Sequence, residues 1–112
     1  MISLTGSARI FFCKEAIDLR KGFEGLSAIV EKLFSAELTS GAYFVFLNLR
    51  ANRMKVLYWD SDGLVIWYKR LEKGSFSKKD LEQGMIGRRE FLMMLEGIIP
   101  RRFRKRYQIT EN

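Results

Sequence analysis

Histidine is absent from this chain of 112 residues, and cysteine and proline occur once each. Each scarcity closes a class of function. Without His there is no imidazole base, no Ser-His-Asp or Cys-His nucleophile and no imidazole metal ligand. One cysteine forbids an intramolecular disulfide and leaves no cysteine-based zinc site. The lone proline leaves no proline-rich linker, and no repeat or low-complexity stretch appears. No apolar run approaches the roughly 18 residues of a membrane span. Residues 1–6 carry no basic segment, and the apolar run 10–13 is too short for a secretory signal, so no leader is expected. Residence in a reducing cytoplasm is therefore expected, with Cys13 a small buried hydrophobe in a strand.

What is present describes one compact domain. Apolar residues make up 47% of the chain, with nine Phe, four Tyr and two Trp, enough for a modest core. The formal charge is +7, and its placement is uneven. Residues 1–49 hold five basic groups (Arg9, Lys14, Arg20, Lys21, Lys32) and five acidic ones, so they are neutral. The whole excess lies in residues 50–112, and five of those cations fall between Arg101 and Arg106. We expect a single α+β domain over residues 1–100 and a flexible basic tail over 101–112.

The periodicities predict the elements. Residues 8–13 read as a first strand. From 21 to about 38, Phe23, Leu26, Ile29, Val30, Leu33 and Phe34 fall at helical spacing, with Asp18 as the candidate N-cap. The apolar run 42–47 reads as a strand covered on both faces. Segments 53–59 and 64–71 flank Asp60-Ser61-Asp62-Gly63 and read as a hairpin in which Gly63 supplies a positive φ. Residues 75–87, with several glycines, have no readable period. Helical spacing returns over 88–99 through Phe91, Leu92, Leu95, Ile98 and Ile99, and Pro100 ends it. The expected order is β-α-β-β-β-α: an antiparallel meander packed with two helices.

The hairpin sorts its charges. Without a bulge, Trp59 faces Leu64, Leu57 faces Ile66, Lys55 faces Tyr68 and Arg53 faces Arg70, all on one side. Tyr58–Val65, Val56–Trp67 and Met54–Lys69 lie on the other, which is the better candidate for packing on the helices. Two arginines directly opposite repel by some tenths of a kcal/mol, unless they splay or hold an anion. Arg53, Lys55 and Arg70, with Arg50, Lys69 and Lys73 nearby and Tyr68 beside them, form a candidate phosphate-binding patch. The other reading is an ordinary solvated end of a sheet. The tail cations Arg101, Arg102, Arg104, Lys105 and Arg106 interleave with Phe103 and Tyr107, a composition suited to nucleic acid or to an acidic protein surface.

Asp60 and Asp62 superficially resemble the start of a calcium loop, but the flanks are strands and the twelfth position is Leu71, so that reading fails. A carboxylate pair could hold Mg²⁺ for phosphoryl transfer. Turn chemistry explains both residues without a metal, and no metal or cofactor is expected.

Several segments carry a family resemblance. Asp18-Leu19-Arg20-Lys21-Gly22-Phe23, Gly41-Ala42-Tyr43-Phe44 and Lys55-Val56-Leu57-Tyr58-Trp59-Asp60 resemble the TnpB accessory proteins of bacterial insertion sequence 66. The likeness is strongest from Asp62-Gly63-Leu64 through Trp67-Tyr68-Lys69-Arg70-Leu71-Glu72-Lys73-Gly74. The chain departs from the family's pattern at Leu38-Thr39, at Ser77-Lys78-Lys79 and at Ile99-Pro100. The motif positions are Asp18, Arg20, Gly22, Trp59, Asp60, Gly63, Lys69 and Arg70. The resemblance implies a small protein that works beside a separate transposase in DNA transposition, and it carries over no catalytic residue. Three readings follow. The first is a non-catalytic accessory factor that contacts the transposase and DNA phosphates. The second is a module docking on an acidic transposase segment without DNA, and the third is a Mg²⁺-dependent nuclease built on Asp60 and Asp62.

Overall fold

A computed structural model describes residues 2, 4 and 6–97; Ile98, Ile99, Pro100 and the basic tail lie outside the described residues. Strands β1 (Ile10–Phe12), β2 (Tyr43–Leu47), β3 (Arg53–Asp60), β4 (Gly63–Arg70) and β5 (Gly84–Ile86) form one sheet in the order β4-β3-β2-β1-β5. Helices α1 (Phe23–Leu33) and α2 (Arg88–Glu96) complete a small α+β domain.

The β2-β3-β4 meander is antiparallel, as the sequence leads one to expect, but the sheet as a whole is mixed. β1 pairs with β2 in parallel, Ile10 against Tyr43 and Phe12 against Val45. Parallel neighbours need a long crossover, and α1 supplies it. The unreadable stretch holds a fifth strand: β5 runs antiparallel to β1, with Ile10 opposite Ile86. Three residues are too few to show a period of two, so no alternation marked it.

Two apolar layers sandwich the sheet. On one face Ile10, Phe12, Tyr43, Val45, Leu47, Met54 and Val56 pack with Phe91, Met94 and Leu95 of α2 and with Phe76 and Leu81. On the other, Phe11, Cys13, Phe44, Phe46 and Leu57 pack with Leu19, Leu26, Val30 and Phe34. Both faces of the hairpin therefore carry helix contacts. The face with Tyr58, Val56 and Trp67 joins the α2 side, while Leu64 and Ile66 join the α1 side. The expectation that the helices share one face is corrected: two helices following opposite ends of the chain's strands cover opposite sides.

Helix α1 is shorter than its apolar stripe. Phe34 leaves the helix in an extended conformation, φ −122° and ψ 148°. Its ring then sits 5.5 Å from that of Phe11 and 5.6 Å from that of Phe44, and this aromatic contact outweighs another helical turn. Phe23 and Leu33 stay largely exposed. Asp18 is not the N-cap. Gly22 holds that position with no side-chain cap bond. Helix α2 ends at Glu96, before Pro100, where the Gly97 N–H donates to the Met93 carbonyl at 2.6 Å.

The hairpin register is the one expected without a bulge: Arg53–Arg70, Lys55–Tyr68, Leu57–Ile66 and Trp59–Leu64 are direct cross-strand pairs. Pairing continues to Asp60–Gly63, so the loop is only Ser61 and Asp62. The residue with positive φ is Ser61, at 58°, not Gly63. The Asp62 N–H donates to the Asp60 carbonyl at 2.5 Å, a tight bond across Ser61 of the γ-turn kind. Gly63 is already strand, which is why it needs no left-handed backbone.

Candidate nucleic-acid interface

The cationic cluster forms where β2 hands over to β3. Asn48 builds the corner: its Oδ1 accepts from the main-chain N–H groups of Asn52 and Arg53, both at 3.0 Å. Its Nδ2 donates to Asn52 Oδ1 at 2.7 Å, and its carbonyl accepts from the Ala51 N–H at 3.0 Å. Ala51 closes the turn at φ 56° and is buried. This self-bonded loop leaves Leu49 83% exposed and Arg50 exposed at its tip. The loop after β4 is tied to the same corner. The Leu71 N–H donates to the Asn52 carbonyl at 2.8 Å, and the Phe76 N–H to the Ala51 carbonyl at 2.7 Å. Exposed Lys73 lies in that second loop, so it belongs to the same end of the sheet as Arg50.

Within the hairpin, three expected residues meet: Arg53, Lys55 and Tyr68. The Lys55 Nζ sits 5.0 Å from the Tyr68 ring centroid, a cation–π distance. Arg53 donates to the Tyr68 Oη at 3.2 Å. Arg70 turns away and pairs with Glu72, 3.1 Å between guanidinium and carboxylate. The Arg53–Arg70 repulsion is thus relieved by splaying, each guanidinium finding its own oxygen. The Arg70–Glu72 pair is mostly exposed, at 57% and 79%, so water screens it and it holds Arg70 weakly. Lys69 is separated from the group, since it pairs with Met54 on the α2 face.

Sequence reasoning missed the contribution of the neutral half. The Ile17 N–H donates to the Leu47 carbonyl at 2.9 Å, which carries the chain before α1 across the end of β2. Lys55 Nζ then donates to the Lys21 carbonyl at 2.9 Å, so α1 starts beside the cluster. Lys21 lies against Gly25, where an added Cβ would meet the Lys21 Cβ at 3.0 Å. No local sequence signal carried this: it follows from the parallel β1–β2 pair, which starts the crossover helix at the end where β2 finishes.

The family-motif residues fall into two turns. In the first, Asp18 Oδ1 accepts from the Arg20 N–H at 3.0 Å, and Asp18 Oδ2 from the Arg20 guanidinium at 2.6 Å. The Arg20 guanidinium holds the Asp18 carboxyl well below the usual carboxylate range. Leu19 between them is buried on the α1 side, and Gly22 leads into the helix. In the second, Asp60 and Gly63 pair across the hairpin turn, with Trp59 half-buried beside them. Among the described residues, no three or more His, Cys, Asp or Glu side chains gather as a metal-ligand set. Cys13 is buried, and burial pushes its thiol pKa up, away from thiolate reactivity. No helix of the described residues is long and apolar enough to cross a membrane.

Fold and cluster together define a small α+β domain with a cationic hairpin end. The chain belongs to the IS66 Orf2-like protein family, whose model matches residues 8–105. Family membership makes it a transposition-associated accessory protein of an insertion sequence, associated with the element's transposase; the family is not a known catalytic one. It is 31% identical over 100 residues to the uncharacterized protein y4jC of Sinorhizobium fredii (strain NBRC 101917 / NGR234), covering 88% of this chain and 86% of that protein. It is 29% identical over 80 residues to the uncharacterized protein y4hO of the same strain, covering 71% and 70%. No solved structure matches the chain significantly.

Proposed function

We propose that this protein is a non-catalytic, cytoplasmic accessory factor that acts with the transposase of its element and holds DNA phosphates through the open end of the β3–β4 hairpin. The observation that carries the reading is the convergence of Arg53 and Lys55 on Tyr68, with Arg70 opposite Arg53 at the same end of the sheet and Lys21 joined through its carbonyl. Arg50 and Lys73 flank this group on loops tied to the same corner. Such cations neutralise phosphates and release counterions, which gives affinity without base reading and a steep salt dependence. Tyr68, 47% exposed, offers a ring face beside those phosphates. The tail cations Arg101, Arg102, Arg104, Lys105 and Arg106 are further candidate phosphate contacts in this reading.

Mobility shift on element-end DNA, titrated with salt, tests the reading. Arg53→Glu with Arg70→Glu should reduce the slope of log affinity against log salt by about two, one per phosphate contact. Deletion of residues 101–112 measures the tail's share. An unchanged slope in the double variant removes the patch. No binding at low salt instead favours an acidic segment of the transposase as the partner of this face. DNA cleavage with Mg²⁺ that disappears in Asp60→Asn would reinstate a nuclease.

A further inference from the structure

We infer that β4 is a self-pairing edge: two copies of this chain join β4 to β4 in antiparallel register and continue the sheet across a twofold axis. The two edges of the sheet are unequal. β5 is three residues long, a length that offers little template. β4 is eight residues long, paired to β3 without a bulge, and contains no proline. Its central residues Leu64, Val65, Ile66 and Trp67 are only half-buried. Within the strand, charges stand only at its C-terminal end, Lys69 and Arg70, with Asp62 in the turn before it.

The hydrogen-bond phase says which groups are free. The Leu71 N–H donates to the Asn52 carbonyl, and the register then assigns the main-chain groups of Lys69, Trp67 and Val65 to β3 as well. The N–H and C=O groups of Leu64, Ile66, Tyr68 and Arg70 point outward. No described residue pairs with them, since β4 ends the sheet. A second strand must therefore meet even-numbered residues.

Charge selects the second copy as that strand. β4 is bounded by Asp60 and Asp62 at its start and by Lys69 and Arg70 at its end. An antiparallel copy sets the acidic end of one strand against the basic end of the other. Centred on Ile66, the pairing places Ile66 opposite itself, Leu64 opposite Tyr68, Val65 opposite Trp67, and Arg70 opposite Asp62 of the second copy. Each of these matches follows the phase of the free groups. Moving the centre to Trp67 sets Arg70 against Leu64 and Lys69 against Val65, and the Arg70–Asp62 match is lost. Moving it to Val65 carries Arg70 past the turn to Asp60, which is already paired with Gly63. Arg70 is available for the new contact because its bond to Glu72 is exposed and weak.

Sedimentation of the full chain from low to high micromolar concentration tests the inference, and it needs no DNA, so it stands apart from the phosphate reading. The chain should sediment as a dimer. Ile66→Pro removes one outward N–H, a change edge strands tolerate, and should yield a folded monomer. Arg70→Asp should raise the dimer dissociation constant about tenfold, and adding Asp62→Arg should restore it. The charge-swap series leaves the hairpin's apolar residues in place and decides the matter if Ile66→Pro does not fold. A monomer at every concentration, or a dimer indifferent to both changes, overturns the inference. So does a full-length monomer that dimerises once residues 98–112 are removed, because the chain's own tail would then occupy the edge.

Discussion

β2 and β4 belong to the same sheet and serve it differently. Every residue of β2 is buried, with Tyr43, Val45 and Leu47 under one layer and Phe44 and Phe46 under the other. β4 has no fully buried residue and ends in three exposed ones, Tyr68, Lys69 and Arg70. A strand with two covered faces and two paired edges contributes stability and leaves nothing for a partner. The edge strand contributes less to the core and presents side chains and main-chain groups outward. Stability and recognition are thus separated by position in one sheet, and substitutions should separate them too.

The largest effect belongs to the centre. Phe44→Ala, at a fully buried ring stacked 5.4 Å from Phe11, should cost about 3–5 kcal/mol in urea unfolding, a large fraction of the roughly 5–15 kcal/mol that holds such a domain folded. A loss below 1 kcal/mol would dissolve the contrast between the strands. Next comes the corner that joins core to cluster. Asn48→Ala strips the acceptor of two main-chain N–H groups and should lower stability by about 1–3 kcal/mol. Because Arg50 and Arg53 are placed by that corner, the same variant should also weaken any DNA retention; intact retention would make the loop a purely structural device.

At the edge the sign of the contrast reverses. Arg53→Glu with Arg70→Glu should change unfolding stability by less than about 1 kcal/mol, since one exposed like-charged pair replaces another and the Arg70–Glu72 bond that is lost is exposed and weak. A large destabilisation would mean that the cluster holds the fold rather than a ligand. The smallest effect is that of Asp18. Its carboxyl is depressed by Arg20, so its contribution is complete above the ordinary carboxylate pKa and is lost as pH falls through the lower folded value. Both partners are exposed, so the effect is small. Asp18→Asn should lower stability slightly at neutral pH and converge with the parent chain as pH falls below the ordinary carboxylate range. A difference that persists unchanged into strong acid would contradict that assignment.

Much of the meander was legible from sequence because alternation and a short turn leave few registers. Once Asp60-Ser61-Asp62-Gly63 separates two β-rich runs, pairing Trp59 with Leu64 brings Arg53 opposite Arg70, and that is the observed ladder. The turn's details were not legible. Asp-Gly suggested a glycine at positive φ, whereas the ladder extends one pair further and moves that role to Ser61. Lys69 looked like a member of the patch by proximity in sequence, yet a period of two sends it to the opposite face.

The sequence by itself determined the chemical inventory: no histidine, one cysteine, a charge excess confined to residues 50–112, and a hairpin with its cations at the open end. These follow from residue identity and local period, which need no distant partner. Tertiary structure alone decided that β1 lies parallel to β2, that the helices cover opposite faces, and that Lys21 of the neutral half meets Lys55. It also decided that β4 is an edge. The physical reason is that strand neighbours are chosen by burial summed over the whole chain. A strand of three residues, such as β1 or β5, carries too little pattern to announce where it will pair.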